Sequence, residues 1–196
     1  MRNKANTNSK INISTLDLEK ELEREIYKSK CRTIIKNTFY KFVVVIAFSV
    51  LESNFLLPTF KIYGSSMAPT LKGGDIVLGL KKSNFKRGDV IAFYHNNHIL
   101  IKRVIALSNE WVDIDEDGNV FIDGILLEES YLDKKALGNT DIIFPYQVPD
   151  GSYFVLGDKR EISIDSRDSR VKTINHNDII GKVLIKIWPI KNINIV

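Results

Sequence analysis

The chain has 196 residues, 44% hydrophobic and 27% charged, a balance that fits one globular domain with an appendage and excludes a disordered or fibrous chain. Its one cysteine, Cys31, cannot close an intramolecular disulfide, which excludes a stapled secreted scaffold and a multi-cysteine zinc module. The net charge of +4 sits at the N-terminus: residues 1–41 carry ten Lys/Arg against five Asp/Glu, and the remainder eighteen against nineteen, so a nucleic-acid surface on the folded part is not expected.

Residues 1–13 read as a polar tail. From Ser14 to Tyr27, Leu18, Leu22 and Ile26 form an i, i+4 stripe that predicts a short helix capped by Ser14 or Thr15. Five basic residues follow with no acid among them (Lys28, Lys30, Arg32, Lys36, Lys41), and then the apolar run from Phe42 to Leu51. Ten residues fall short of the roughly 20 needed to cross a bilayer. Extended from Phe39 to Phe60, the segment would give about 33 Å of helix, enough if Glu52 lies near the far interface. The segment is therefore read as a membrane anchor, against a buried core helix or a cleaved secretory signal. The positive-inside rule then places the N-terminus and Cys31 in the cytoplasm. The expected division is a cytoplasmic tail at 1–38, a transmembrane anchor at 39–60 and an extracytoplasmic β domain at 61–196.

Beyond residue 60 the pattern changes to short β-rich runs between turn residues: Ile76–Leu78, Val90–Tyr94, Ile99–Ile105, Trp111–Ile114, Val120–Ile122, Tyr153–Leu156 and Val183–Trp188. Asn96-Asn97 suits a two-residue hairpin turn, because asparagine tolerates positive φ. Asp115–Asn119 marks a second hairpin and Asp123-Gly124 a third turn. The expected fold is mainly β, built of short antiparallel strands and hairpins after one N-terminal transmembrane helix.

Three segments could carry chemistry. Gly64-Ser65-Ser66-Met67-Ala68-Pro69-Thr70-Leu71 offers hydroxyls, yet a serine is a poor nucleophile without a base, and taken alone the segment is an ordinary turn. The Asn96-Asn97 hairpin supplies a base by register: His95 pairs with His98, Phe93 with Leu100 and Ile91 with Lys102, and paired residues share a face. Lys102 thus projects among Ile91, Phe93 and Leu100, while Arg103 points to the opposite face. Burial lowers a lysine pKa from about 10.4 and makes a neutral general base available; the plainer alternative is an amine that snorkels to water. The third segment, Gly157 to Arg167, is dense in Asp, Arg and Ser. It is either a solvated polar loop or an ion-paired one in which Ser163 or Ser166 orients an amine.

Taken together and in this order, these segments resemble type I signal peptidase, the membrane-bound Ser–Lys peptidase that removes signal peptides from exported proteins, over about residues 39 to 191. The resemblance implies Ser66 as nucleophile in Ser66-Met67-Ala68-Pro69-Thr70. It implies Lys102 as general base in Lys102-Arg103-Val104, with Phe93 and Leu100 lining the lysine; Ile91 joins them by the hairpin register, and Met67 is expected to complete the lining. In Gly157-Asp158-Lys159-Arg160 and Ser163-Ile164-Asp165-Ser166-Arg167, it implies that Ser163 holds the amine and that Asp165 pairs with Arg167 and Arg160, with Asp158 in support. Ile164 is counted with the apolar lining. Gly181-Lys182 and Trp188-Pro189 resemble the last strand.

There are departures from the pattern. Lys159 stands where the family usually has asparagine, Ser108-Asn109-Glu110 where Pro-Gly-Asp is usual, and Lys172 where glycine is customary. Asp168-Ser169-Arg170 repeats the preceding tripeptide and opens a second register for the last element. Gly64 offers no side-chain hydroxyl to an oxyanion hole, which leaves more of that work to the Ser66 backbone N–H.

The implied activity is serine endopeptidase cleavage at the outer membrane face, with no cofactor, no metal and no nucleic acid. The implied partners are the signal peptides of exported preproteins and the lipid bilayer. Substrate would lie extended along exposed strand edges, with small residues at −1 and −3. The competing readings are a non-catalytic or specialised homologue that assists surface-protein assembly, and a self-cleaving repressor, for which no DNA-binding domain is apparent. A Ser-His-Asp triad using His98 is a further alternative, although His95 and His98 flank a hairpin tip.

Overall fold

The computed structural model describes residues 15–81 and 84–196. The polar tail at 1–13 and the Ser14 cap lie outside the described residues. One helix, α1 (Thr15–Leu56), replaces the expected pair: the amphipathic turn and the apolar segment are continuous over 42 residues. Nothing between them breaks a helix, since the segment contains neither Pro nor Gly. The helix ends at Leu56 and not at Phe60, because Pro58 follows two residues later and disfavours α geometry before it. It is the one helix among the described residues long and apolar enough to cross a membrane.

The chain separates into two compact units, one ending at Leu51 and one running from Glu52 to Val196. The second unit is built from β1 (Thr59–Lys61), β2 (Ile76–Leu80), β3 (Val90–His95), β4 (His98–Ala106), β5 (Trp111–Ile114), β6 (Val120–Ile122), β7 (Ile125–Leu126), β8 (Tyr146–Gln147), β9 (Ser152–Leu156), β10 (Ile174–Asn175), β11 (Ile179–Trp188) and β12 (Asn194–Ile195). An antiparallel sheet runs β1-β2-β11-β3-β4-β9-β10, with β12 against β11, and a smaller sheet runs β7-β6-β5-β8. The fold is mainly β, as the alternating short runs require. The first strand, Thr59–Lys61, begins within the last residues of the expected anchor. The two-residue strands β7, β8, β10 and β12 have no alternation long enough to read.

The β3–β4 hairpin has the expected register, with Ile91 opposite Lys102, Phe93 opposite Leu100 and His95 opposite His98. Asn96 and Asn97 turn it with φ of 46° and 62°, the left-handed values that match the twist of the flanking strands. Strand β4 then serves two faces. Leu100 and Val104 join an apolar cluster with Ile91, Phe93, Val155 and Val171, whereas Ile101 and Ile105 pack into clusters on the other side. Lys102 takes its place in the row between Leu100 and Val104, so strand periodicity alone puts its side chain on an apolar face.

Candidate active site

Ser66 sits in the turn after β1, half-buried, and Met67 and Leu71 fasten that turn into the cluster formed with Phe60 and Val77. The Lys102 side chain is 3% exposed, and its Nζ donates to Ser66 Oγ at 2.7 Å. Burial is the main cause that pulls the Lys102 pKa from 10.5 down to about 8, with Arg167 acting the same way and Asp165 and Asp158 opposing. A hydroxyl in contact with an amine that is neutral for much of its time above pH 8 has the geometry and the proton affinity that a nucleophile–base pair needs. His98 is exposed at the hairpin tip, and the His95 side chain hydrogen-bonds only its neighbour Asn96 among the described residues.

The Ser66 turn is tied to the loop after β9: Lys159 N donates to the Ser66 carbonyl at 2.9 Å. A Cβ at Gly157 would stand 2.6 Å from that same carbonyl and would strike the Ser163 hydroxyl, so Gly157 is what lets Ser66 and Ser163 approach each other. Ser163 Oγ is buried with no hydrogen-bond partner among the described residues. Ser166, the other hydroxyl considered, is used otherwise: its Oγ accepts from Val155 N at 2.9 Å and so locks the loop to β9. The repeated tripeptide is likewise resolved. Asp165 and Arg167 form a buried bidentate pair at 2.8 Å, while Asp168 and Arg170 pair at the surface, so the register beginning at Ser163 is the interior one.

One ion pair differs from expectation. Arg160 does not pair with Asp165. Its guanidinium meets Glu129, at 2.5 and 3.1 Å, and Glu129 is buried. Asp165 instead takes Arg167 alone and accepts from Gly157 N at 3.0 Å. Asp158 binds Arg103 through two contacts, at 2.9 and 2.7 Å, and also accepts from Thr70 at 2.5 Å, which links the lysine strand to the serine turn. Tyr131 lies beneath the Arg103 guanidinium, 4.1 Å from ring centre to Cζ, and donates to Glu129 at 2.7 Å. Sequence reasoning missed Glu129, Tyr131 and the role of Arg103. The only sequence signal is the acid and the aromatic ring in Glu129-Ser130-Tyr131.

Ile91 and Phe93 are fully buried on the Lys102 face, with Leu100 half-buried beside them. Met67 is buried in the cluster of the opposite side, and it borders the cleft that Ser66 and Lys102 share. Two clefts meet at the serine and the lysine. The first, about 680 Å³, runs between β1 with the Ser66 turn and the start of β4. The second, about 350 Å³, runs between the hairpin tip and residues 162–171. Lys159 is exposed, and Lys172 takes φ of 53°, the left-handed conformation that glycine adopts freely. No group of three or more His, Cys, Asp or Glu side chains able to hold a metal occurs among the described residues.

Because the folded pKa of Lys102 lies below 10.5, the folded state disfavours its proton: below about pH 8 the buried ammonium costs stability, and the cost fades as pH rises towards 10.5. At about 1.36 kcal/mol per pH unit the cost is at most about 3 kcal/mol. Lys102→Met should therefore unfold in denaturant with about 1 to 3 kcal/mol more stability than the unmodified chain at pH 7, and with a smaller advantage at pH 10. An equal or lower stability of Lys102→Met at pH 7 would show that the amine is well solvated.

The arrangement has relatives. The family model described as "Signal peptidase, peptidase S26" matches residues 35–188. Signal peptidase IB of Staphylococcus aureus is 33% identical over 169 residues, covering 74% of this chain and 86% of that protein. Signal peptidase I of Bacillus amyloliquefaciens is 32% identical over 158 residues, covering 75% and 85%. The crystal structure of a signal peptidase I from Enterococcus faecalis V583 superposes with a TM-score of 0.42 at 30% identity, over 50% of this chain and 96% of that one. A match that runs from the apolar helix to the end of β11, with both similar bacterial enzymes covered over most of their length, makes this chain a member of the signal peptidase family, peptidase S26.

Proposed function

We propose that the chain cleaves signal peptides from exported preproteins by a Ser66–Lys102 dyad, as a type I signal peptidase. The observation that carries this reading is the 2.7 Å contact between Lys102 Nζ and Ser66 Oγ, made by an amine whose pKa burial holds near 8. Neutral Lys102 takes the Ser66 proton as Oγ bonds to the scissile carbonyl carbon. The tetrahedral oxyanion is met by the Ser66 backbone N–H. When the C–N bond breaks, the Lys102 ammonium returns that proton to the leaving amine, and an acyl-enzyme remains. Water then attacks the ester and gives its proton to Lys102, which passes it to Ser66 Oγ as the acyl C–O bond breaks. The unpartnered Ser163 hydroxyl orients the amine, and Asp165 with Arg167 holds that loop. Asp158 and Arg160 support it through Arg103 and Glu129.

The signal-peptide side of the substrate lies in the first cleft. Strand β9 pairs with β4 only from Arg103 onward, which leaves the His98–Lys102 edge unpaired by it, and β1 is the outer strand of the sheet. An extended segment can add main-chain bonds to such edges and present alternate side chains to shallow pockets. This supports the reading of small residues at −1 and −3.

The N-terminal helix anchors the enzyme in the lipid bilayer, with the span in the residue 39–56 part of α1 and Lys28, Lys30, Arg32 and Lys36 ahead of it on the cytoplasmic side. Cys31, half-buried within α1, should then be shielded from a membrane-impermeant thiol reagent in intact cells and react once they are opened. Labelling in intact cells would overturn this orientation.

Purified protein in detergent should cut a preprotein at its signal-peptide junction, and Ser66→Ala and Lys102→Arg should each abolish cleavage, since a guanidinium cannot act as neutral base. Ser65→Ala should retain activity, because Ser65 is exposed beside the site. Cleavage by Ser66→Ala at a comparable rate would refute the dyad, and equal loss in both serine variants would point to the fold of the turn.

A further inference from the structure

We propose that the second cleft receives the first residues of the released protein, and that it takes a large aliphatic side chain at position +1 or +2. The proposal rests on the Ser66–Lys102 reading, because the scissile bond has to lie where the two clefts meet. Both clefts share Ser66, Leu100 and Lys102, and otherwise they diverge. With the signal-peptide side in the first, the chain beyond the leaving nitrogen has the second open to it.

The walls define the chemistry of the occupant. Leu100, Ile162, Ile164 and Val171 line this cleft beside the Lys102 stem. Ile162 and Ile164 are 54% and 55% exposed, although every other side chain from Asp158 to Arg170 is Asp, Lys, Arg, Glu or Ser. Neither belongs to a core cluster among the described residues. Two open aliphatic side chains on either side of Ser163 have apolar area to bury only when something lies against them. A volume of about 350 Å³ is room for one large side chain with the adjoining main chain.

Charge at the rim does not favour an ionic occupant. Arg170 is the duplicated tripeptide's arginine, and Asp168 holds it by Nε at 2.8 Å and by Nη2 at 2.5 Å, with Asp141 close by. The guanidinium is thereby spent on its own turn, and what it offers the cleft is mainly the aliphatic stem. No carboxylate lines the cleft among the described residues, so a basic residue finds no partner either.

The test uses one preprotein with Leu, Ser, Asp or Lys placed in turn at +1 and at +2, cleaved by the full-length enzyme in detergent. For the unmodified enzyme kcat/KM should be about fivefold higher with Leu than with Ser at one of the two positions, and Asp and Lys should be no better than Ser; fivefold is what partial burial of one leucine supplies. In the Ile162→Ser, Ile164→Ser double variant the Leu-to-Ser ratio should fall to near one. A ratio near one in the unmodified enzyme at both positions, or a ratio that the double variant leaves intact, overturns the proposal. So does a preference for Asp or Lys. If the ratio is unaffected while the double variant binds lipid vesicles more weakly, the isoleucines face a lipid surface and the proposal is also overturned. Absence of any Ser66-dependent cleavage, whatever the residues at +1 and +2, would instead remove the dyad reading and this inference with it.

Discussion

The structure turns on the desolvation of one amine. Lys102 occupies an inward position of β4 between Leu100 and Val104, opposite Ile91, and an ammonium there loses hydration that no carboxylate among the described residues restores by direct contact. The nearest acids, Asp165 and Asp158, are each engaged by an arginine. They oppose the shift at a distance without cancelling it, and the lysine stays near 8. A carboxylate paired with the amine itself would have stabilised the fold and left a base too weakly available at neutral pH.

Three carboxylate–guanidinium pairs frame the site: Arg103–Asp158, Arg160–Glu129 and Arg167–Asp165. All six side chains are buried. Such pairs add little net stability, because desolvation offsets most of the attraction, but removing one partner strands the other at a cost of about 3–5 kcal/mol. Their effect here is geometric. The loop from Gly157 to Arg167 has almost no apolar side chain directed inward, so bidentate pairs and backbone bonds fix it where a hydrophobic core cannot. Through Lys159 N and the Asp158–Thr70 bond the same loop fixes the Ser66 turn.

Much of this was legible because it is local. Asn96-Asn97 sets a two-residue turn, the turn sets the register, and the register puts Lys102 on the face of Ile91 and Phe93; each step needs only neighbouring residues. The Glu129–Arg160 pair joins residues 31 apart in sequence, and Arg103–Asp158 joins residues 55 apart. No periodicity reports such distances, and the pairing of Arg160 with Asp165 that the family resemblance implies is not the one the fold makes. The helix boundary failed for a different reason. Hydropathy marks where lipid is tolerable, whereas the end of α1 is set by Pro58, and the two need not coincide. The two-residue strands are held by their partners in the sheet and leave no pattern of their own.

The central claim is that a depressed lysine pKa makes the base, and the pH dependence of kcat/KM for preprotein cleavage tests it most directly, because that profile titrates the free enzyme. The account predicts an acidic limb with its midpoint near pH 8, where activity rises as Lys102 loses its proton. A midpoint near 10.5, the value of a solvated lysine, or one near 6.5, the ordinary histidine value, would contradict it.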